Sequence, residues 1–213
     1  MTLESSKTLG GIGAILMFVG VLPTINYIGI IEIVGLILVL FALRNLANYY
    51  REESIFRHAL YGVAVAVVGA IIVGVLAVVV VLSSIKDLVT QLYPGWNGDW
   101  STLQGMTANT TNFDPTNIFP FIGGLLVVLV IAWVFALIAS FFIYRSLKQV
   151  SSKSKIGFFG TAGLILLIGA IIPIVGLLLM WVSALILAIA FFTIKPQEKP
   201  IATTNSPPPP PTI

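Results

Sequence analysis

Apolar residues fill this chain in six long blocks, unlike the one-faced or alternating patterns of water-soluble elements. The blocks cover 9–22, 27–43, 59–85, 118–144, 156–172 and 175–194. Unbroken apolar runs of about 18 residues or more are read as helices that cross a bilayer. The third block, rich in Val and Ala, is long enough to cross with tilt. Pro23, Thr24 and Asn26 break the first block from the second, and Pro173 breaks the fifth from the sixth. Pro120 opens the fourth, a position that the first turn of a helix tolerates. The pattern predicts an all-α polytopic transmembrane helical bundle of six spans over residues 1–195. Two Gly-rich helical hairpins flank two long central helices, and a disordered proline-rich cytoplasmic tail follows over 196–213.

Charge then gives the blocks a direction. Only 9% of residues are charged and 58% are hydrophobic, against roughly a quarter charged in soluble domains. Ten of the eleven Lys and Arg residues fall on one side if six segments cross: Lys7, Arg44, Arg51, Arg57, Arg145, Lys148, Lys153, Lys155, Lys195 and Lys199. The other side receives Lys86 with Asp87, Asp99 and Asp114. Short cytoplasmic loops carry the Lys/Arg excess, so a multi-pass protein of the cell membrane with both termini cytoplasmic is expected. The 87–117 loop then faces out, with Trp96 and Trp100 suited to the headgroup level and Asn109-Thr110-Thr111 as a glycosylation sequon. The net charge of +3 does not point to nucleic acid, because the basic residues sit at helix ends as membrane anchors do. With no Cys there is no disulfide, thiol nucleophile or thiolate metal site.

The first block follows a single Lys and also suits a secretory signal or half of a re-entrant hairpin. No small-x-small cleavage site follows it, and its pattern recurs inside the chain. A shift of 150 residues superposes Gly10 on Gly160, Gly13 on Gly163, Leu16 on Leu166 and Pro23 on Pro173. A cleaved signal is disfavoured, while full crossing and a shallow hairpin both stay open. Both hairpins enter from the same face, as parallel copies. This lowers the expectation of the inverted repeats found in many transporters.

Lipid tails provide no hydrophobic drive for helices to associate, so small residues that allow close approach matter. Gly62, Ala66, Ala70 and Gly74 stand at i+4 spacing in the third block, and Ala132, Ala136 and Ser140 do so in the fourth. These stripes are expected to face each other, with dimerisation through the same face as the rival reading.

Several stretches carry a resemblance. Leu9-Gly10-Gly11-Ile12-Gly13-Ala14-Ile15-Leu16, Arg44-Asn45-Leu46-Ala47-Asn48-Tyr49-Tyr50 and Ile55-Phe56-Arg57-His58-Ala59-Leu60-Tyr61-Gly62 resemble a family of archaeal integral membrane proteins known only as a domain of unknown function. Phe141-Phe142-Ile143-Tyr144-Arg145-Ser146-Leu147 and Thr161-Ala162-Gly163-Leu164 continue the likeness. The resemblance covers about 5–195 and implies an archaeal source and a cell-membrane location. It implies no activity and no functional residue.

Glu32 is the ionisable residue expected deep in a span, roughly 10 Å below the outer face at 1.5 Å per residue. A carboxylate there is by default a functional-site hypothesis. Ser183 lies at the corresponding depth of the second hairpin as a candidate partner. The competing reading is a protonated Glu bonded across a helix contact or reaching to the interface, and no second intramembrane charge completes a relay. Arg44, Tyr49, Tyr50 and Arg51 combine basic and aromatic groups suited either to anionic lipid headgroups or to simple anchoring. His58, the one histidine, sits at the interface without the neighbours that a metal site or triad needs. Pro207–Pro211 favours polyproline II, as a spacer or a docking segment. Phosphate loops, nucleophile elbows and zinc helices are absent from the sequence, so no catalytic residue, cofactor or metal is expected. The sequence favours a non-enzymatic membrane component that binds partners, lipids or copies of itself. Passage of a small solute or ion through Glu32 is the alternative.

Overall fold

Backbone amides and carbonyls have no water to bond in hydrocarbon, so an apolar block meets its hydrogen-bond needs by coiling into a helix. The computed structural model describes residues 3–20, 22, 29–109, 116 and 119–195. Among these, each block holds one helix: α1 (Leu3–Gly20), α2 (Ile30–Tyr50), α3 (Glu53–Leu92), α4 (Phe119–Ser154), α5 (Gly157–Ile171) and α6 (Pro173–Phe192). The break at Pro23, Thr24 and Asn26, the two threonines of the sequon and the tail from 196 lie outside the described residues.

The helices overrun their apolar blocks at the basic end, and α3 also continues to Leu92, into the loop expected over 87–117. α3 begins at Glu53, ahead of the block starting at 59, and α4 continues to Ser154, beyond the block ending at 144. Hydropathy marks where a helix meets lipid, but backbone bonding continues into polar sequence that also favours helix. Pro173 stands at the start of α6 rather than in a separate break, where its missing N–H costs nothing. Among the described residues, four helices qualify by length and composition to cross a membrane: α2, α3, α4 and α6. α5 is shorter at 15 residues, and α1 carries Glu4 and Lys7 in its first two turns.

Each helix packs on its neighbours in the chain and α6 closes back onto α1, so the six form a ring. Glycines set the closest approaches. A Cβ on Gly13 would lie 2.7 Å from the carbonyl oxygen of Gly35, and one on Gly35 would lie 2.6 Å from that of Gly13. Gly169 and Gly176 bring the backbones of α5 and α6 together in the same way. The glycines repeated at a shift of 150 do not repeat their contacts. Gly13 faces its hairpin partner α2, whereas Gly163 faces Tyr144 and Leu147 of α4.

The core sits at the basic end. Leu46, Ile55, Leu147, Val150, Phe159, Phe191 and Ile194 are fully buried there, and the Phe159 and Phe191 rings meet edge to face at 5.1 Å. Among the described residues the ring stops away from that end, and α3 and α4 go on without the other helices. The indole of Trp133 on α4 reaches Ala170 at the far end of α5, and Gly69 of α3 packs against Phe135 at nearly the same level. Beyond it Val75, Val78, Val79, Leu82 and Ile85 of α3 are exposed, as are Phe119, Ile122, Leu125, Leu126 and Leu129 of α4. The apolar length of α3 over 60–85 is about 39 Å at 1.5 Å per residue. The described residues of the hairpins line about half of it.

The small-residue stripes are placed differently from the expectation. Gly62 does face α4, against Ile143 and the Ala139 carbonyl, but Ala66, Ala70 and Gly74 are exposed. Nothing lies within 4 Å of a Cβ on Gly74. The seam instead runs through Gly62, Gly69 and Val80, which meet Ala139, Phe135 and Gly124. The reason is angular. At about 100° per residue an i+4 row rotates about 40° at each step and leaves the interface, whereas an i+7 row drifts only about 20°. On α4, Ser140 is buried and bonds back to the Leu137 carbonyl at 3.0 Å, while Ala132 and Ala136 are half-buried.

Candidate functional site

Polar groups gather where the chain turns at the basic end. α2 passes to α3 through Arg51 and Glu52, and Arg51 takes a left-handed conformation at φ 51°. Its N–H and that of Glu52 close the carbonyls of the last turn, Glu52 bonding Ala47 at 2.9 Å. Arg51 therefore shapes this turn, besides presenting an exposed charge. The Glu52 carboxylate accepts from Ser54 and pairs with Lys153 of α4 at 3.1 Å. The Ser54 hydroxyl and then the Lys153 ammonium hold its pKa below the usual carboxylate value.

One helical turn further, His58 Nδ1 lies 2.6 Å from the Ser54 carbonyl and its ring stacks on Phe142 of α4. The fully buried Ser146 hydroxyl donates to the Ile55 carbonyl at 2.7 Å. The Ser146 bond and the His58–Phe142 stack join α3 to α4. Among the described residues no group of three or more His, Cys, Asp or Glu could hold a metal ion. Arg44 is exposed and its guanidinium lies over the Phe56 ring of α3 at 5.7 Å, a cation–π contact. Tyr49 and Tyr50 meet edge to face at 5.0 Å.

The structure does not join Glu32 to Ser183. Glu32 lies in the first turn of α2, exposed, with its backbone against Gly20 of α1. A carboxylate there is favoured by the positive end of the helix dipole. α2 starts at Ile30, just after a left-handed Gly29, so Glu32 stands in its first turn. Ser183 is buried and donates to the Ala162 carbonyl of α5 at 2.7 Å.

At the other end, the Asp99 carboxylate accepts from the Ser101 N–H and hydroxyl, 2.9 and 2.8 Å, capping a short 3-10 helix (Trp100–Gly105). Those bonds, the backbone one first, lower the pKa of Asp99. Trp96 is buried in this loop, donating to the Asp99 carbonyl, while Trp100 is exposed. The Asn109 N–H bonds the Leu92 carbonyl at 2.7 Å.

Two features escaped the sequence reading. The first is a pair of tryptophan caps. Trp181 of α6 donates to the Phe18 carbonyl of α1 and Trp133 to the Ala170 carbonyl of α5, both at 2.7 Å. Each serves a carbonyl in the last turn of a hairpin's first helix, which lacks a partner within that helix. The Phe18 and Trp181 rings also stack at 4.5 Å. An indole N–H inside an apolar block, needing an acceptor, was the available signal. The second is a cavity of about 110 Å³ at the centre of the ring, lined from all six helices by side chains including Met17, Leu40, Val63, Leu147, Leu166 and Met180. Ser183 is its one hydroxyl-bearing wall. Such a space depends on which faces meet, which no single block reveals.

Residues 31–190 match the family described as protein of unknown function, DUF996, and the chain belongs to that family. It is also similar to an uncharacterized protein, MJ1644, of the archaeon Methanocaldococcus jannaschii. The two are 26% identical over 201 residues, covering 93% of this chain and 97% of the relative. No solved structure matches the chain.

Proposed function

We propose that this member of an uncharacterised membrane-protein family is a non-enzymatic component of the cell membrane, with both termini cytoplasmic, that acts by binding partners, lipids or copies of itself. The observation that carries the reading is the interior of the ring. Its central space is walled by apolar side chains, and the one hydroxyl on that wall, Ser183, is committed to the Ala162 carbonyl. An aqueous solute or ion needs polar groups that replace its hydration along a path, and this wall offers almost none. Glu32 does not line the space. The buried hydroxyl of Ser146 and the indoles of Trp133 and Trp181 each tie one helix to another, so they support assembly rather than chemistry.

Flux measurements on the full chain in lipid vesicles test this against passage through Glu32. The expected result is proton and monovalent-cation leakage equal to that of protein-free vesicles. Leakage that the parent supports and Glu32→Gln abolishes would overturn the proposal.

A further inference from the structure

We propose that the central cavity takes in a short segment of one hydrocarbon tail of an anionic membrane lipid, with Arg44 holding its head group. This rests on the reading of the protein as a binding component and names the ligand class. Size selects a short apolar segment: about 110 Å³ is close to apolar cavities of about 150 Å³ that stay dry and admit a small hydrocarbon, so the rest of the tail stays outside the helices. A partner helix about 10 Å across cannot enter.

The way in follows from the ring. The cavity is partly open, and α2 and α3 share the shortest contact of any neighbouring pair. Leu36 and Leu40 of α2 line the cavity beside Val63 of α3. Arg44 lies one turn beyond Leu40 toward the basic end, and its guanidinium over Phe56 spans α2 and α3. Arg44 and Arg57 are exposed, and neither has an ion pair among the described residues. A tail entering between α2 and α3 therefore leaves its head beside an unneutralised guanidinium. This complementarity selects an anionic lipid over a zwitterionic one, and the bilayer that surrounds the helices supplies it.

The purified full chain is titrated in neutral detergent with phosphatidylglycerol or with phosphatidylcholine of the same acyl length, and bound lipid is counted by native mass spectrometry. One phosphatidylglycerol per chain is expected, held at least tenfold more tightly than phosphatidylcholine. Arg44→Ala brings the two lipids to equal affinity, and Arg44→Lys restores part of the preference. Ala59→Phe and Val63→Trp fill the cavity from α3 and weaken both lipids at least tenfold, read on whichever of the two keeps the parent's helical spectrum and melting. Absence of bound lipid, equal affinities in the parent, or undiminished binding in a folded cavity-filled variant would each overturn the proposal. These outcomes are separate from the flux result, which reads the broader function whether or not a lipid is bound.

Discussion

Gly13→Ala compared with Gly74→Ala isolates the energy of the closest helix approach from everything else a methyl group does. Both glycines lie within helices, so both substitutions gain up to about 1 kcal/mol of helix propensity, and that gain cancels in the comparison. The surroundings differ. At Gly74 the new methyl enters open space, whereas at Gly13 it meets the Gly35 carbonyl oxygen at 2.7 Å and Leu38 Cβ and Val39 N at 2.9 Å. Ordinary contact begins at 3.4 Å, so α1 and α2 must separate by about 0.7 Å. Two of those three atoms belong to the backbone and cannot rotate aside. A gap of about 0.5–1 Å forfeits a quarter to a half of each dispersion contact along the pair, and overpacking of this kind costs about 1–3 kcal/mol. Gly13→Ala should therefore be about 1–3 kcal/mol less stable than Gly74→Ala, measured by SDS-driven unfolding of the purified protein in mixed micelles. Equal stabilities within about 0.5 kcal/mol would refute the claim that the Gly13–Gly35 contact sets how closely the first hairpin packs.

Two more expectations follow from the basic end and from the charge pattern. The folded-state pKa of Glu52 is lowered by Ser54 and Lys153, so its contribution to stability is present above the usual carboxylate value and is lost as pH falls through the depressed one. Lys153→Ala should melt below the parent at neutral pH and together with it in strong acid. A gap that persists in acid would assign the loss to packing instead. In a chain without Cys, a thiol placed at Thr107 should react with an impermeant reagent in intact cells and one at Ser152 should not, and the reverse labelling would invert the orientation.

The helices were legible because a bilayer demands long apolar runs, and such runs lie on the surface of the sequence. All six blocks hold helices, and their ends were missed where polar sequence prolongs the coil, as at Glu53 and Ser154. Rotation about each axis was much less legible. Val- and Ala-rich helices are apolar on every face, so spacing alone chose Ala66 and Ala70 for a contact with α4 that runs through Gly69. The depth of Glu32 depended on where the first hairpin turns, which composition fixes only to a few residues. Glu32 is not joined to Ser183: it is exposed in the first turn of α2, and the Ser183 hydroxyl donates to the Ala162 carbonyl. The cavity and the indole bonds join residues from helices far apart in the chain, and no local pattern announces such meetings.

The unequal reach of the helices bears on the shape of the surrounding membrane. A bilayer that covered the full apolar length of α3 would meet the described parts of six helices at one depth and of two at the other. Lipid would then pack against a broad body near the basic residues and a slender one away from them.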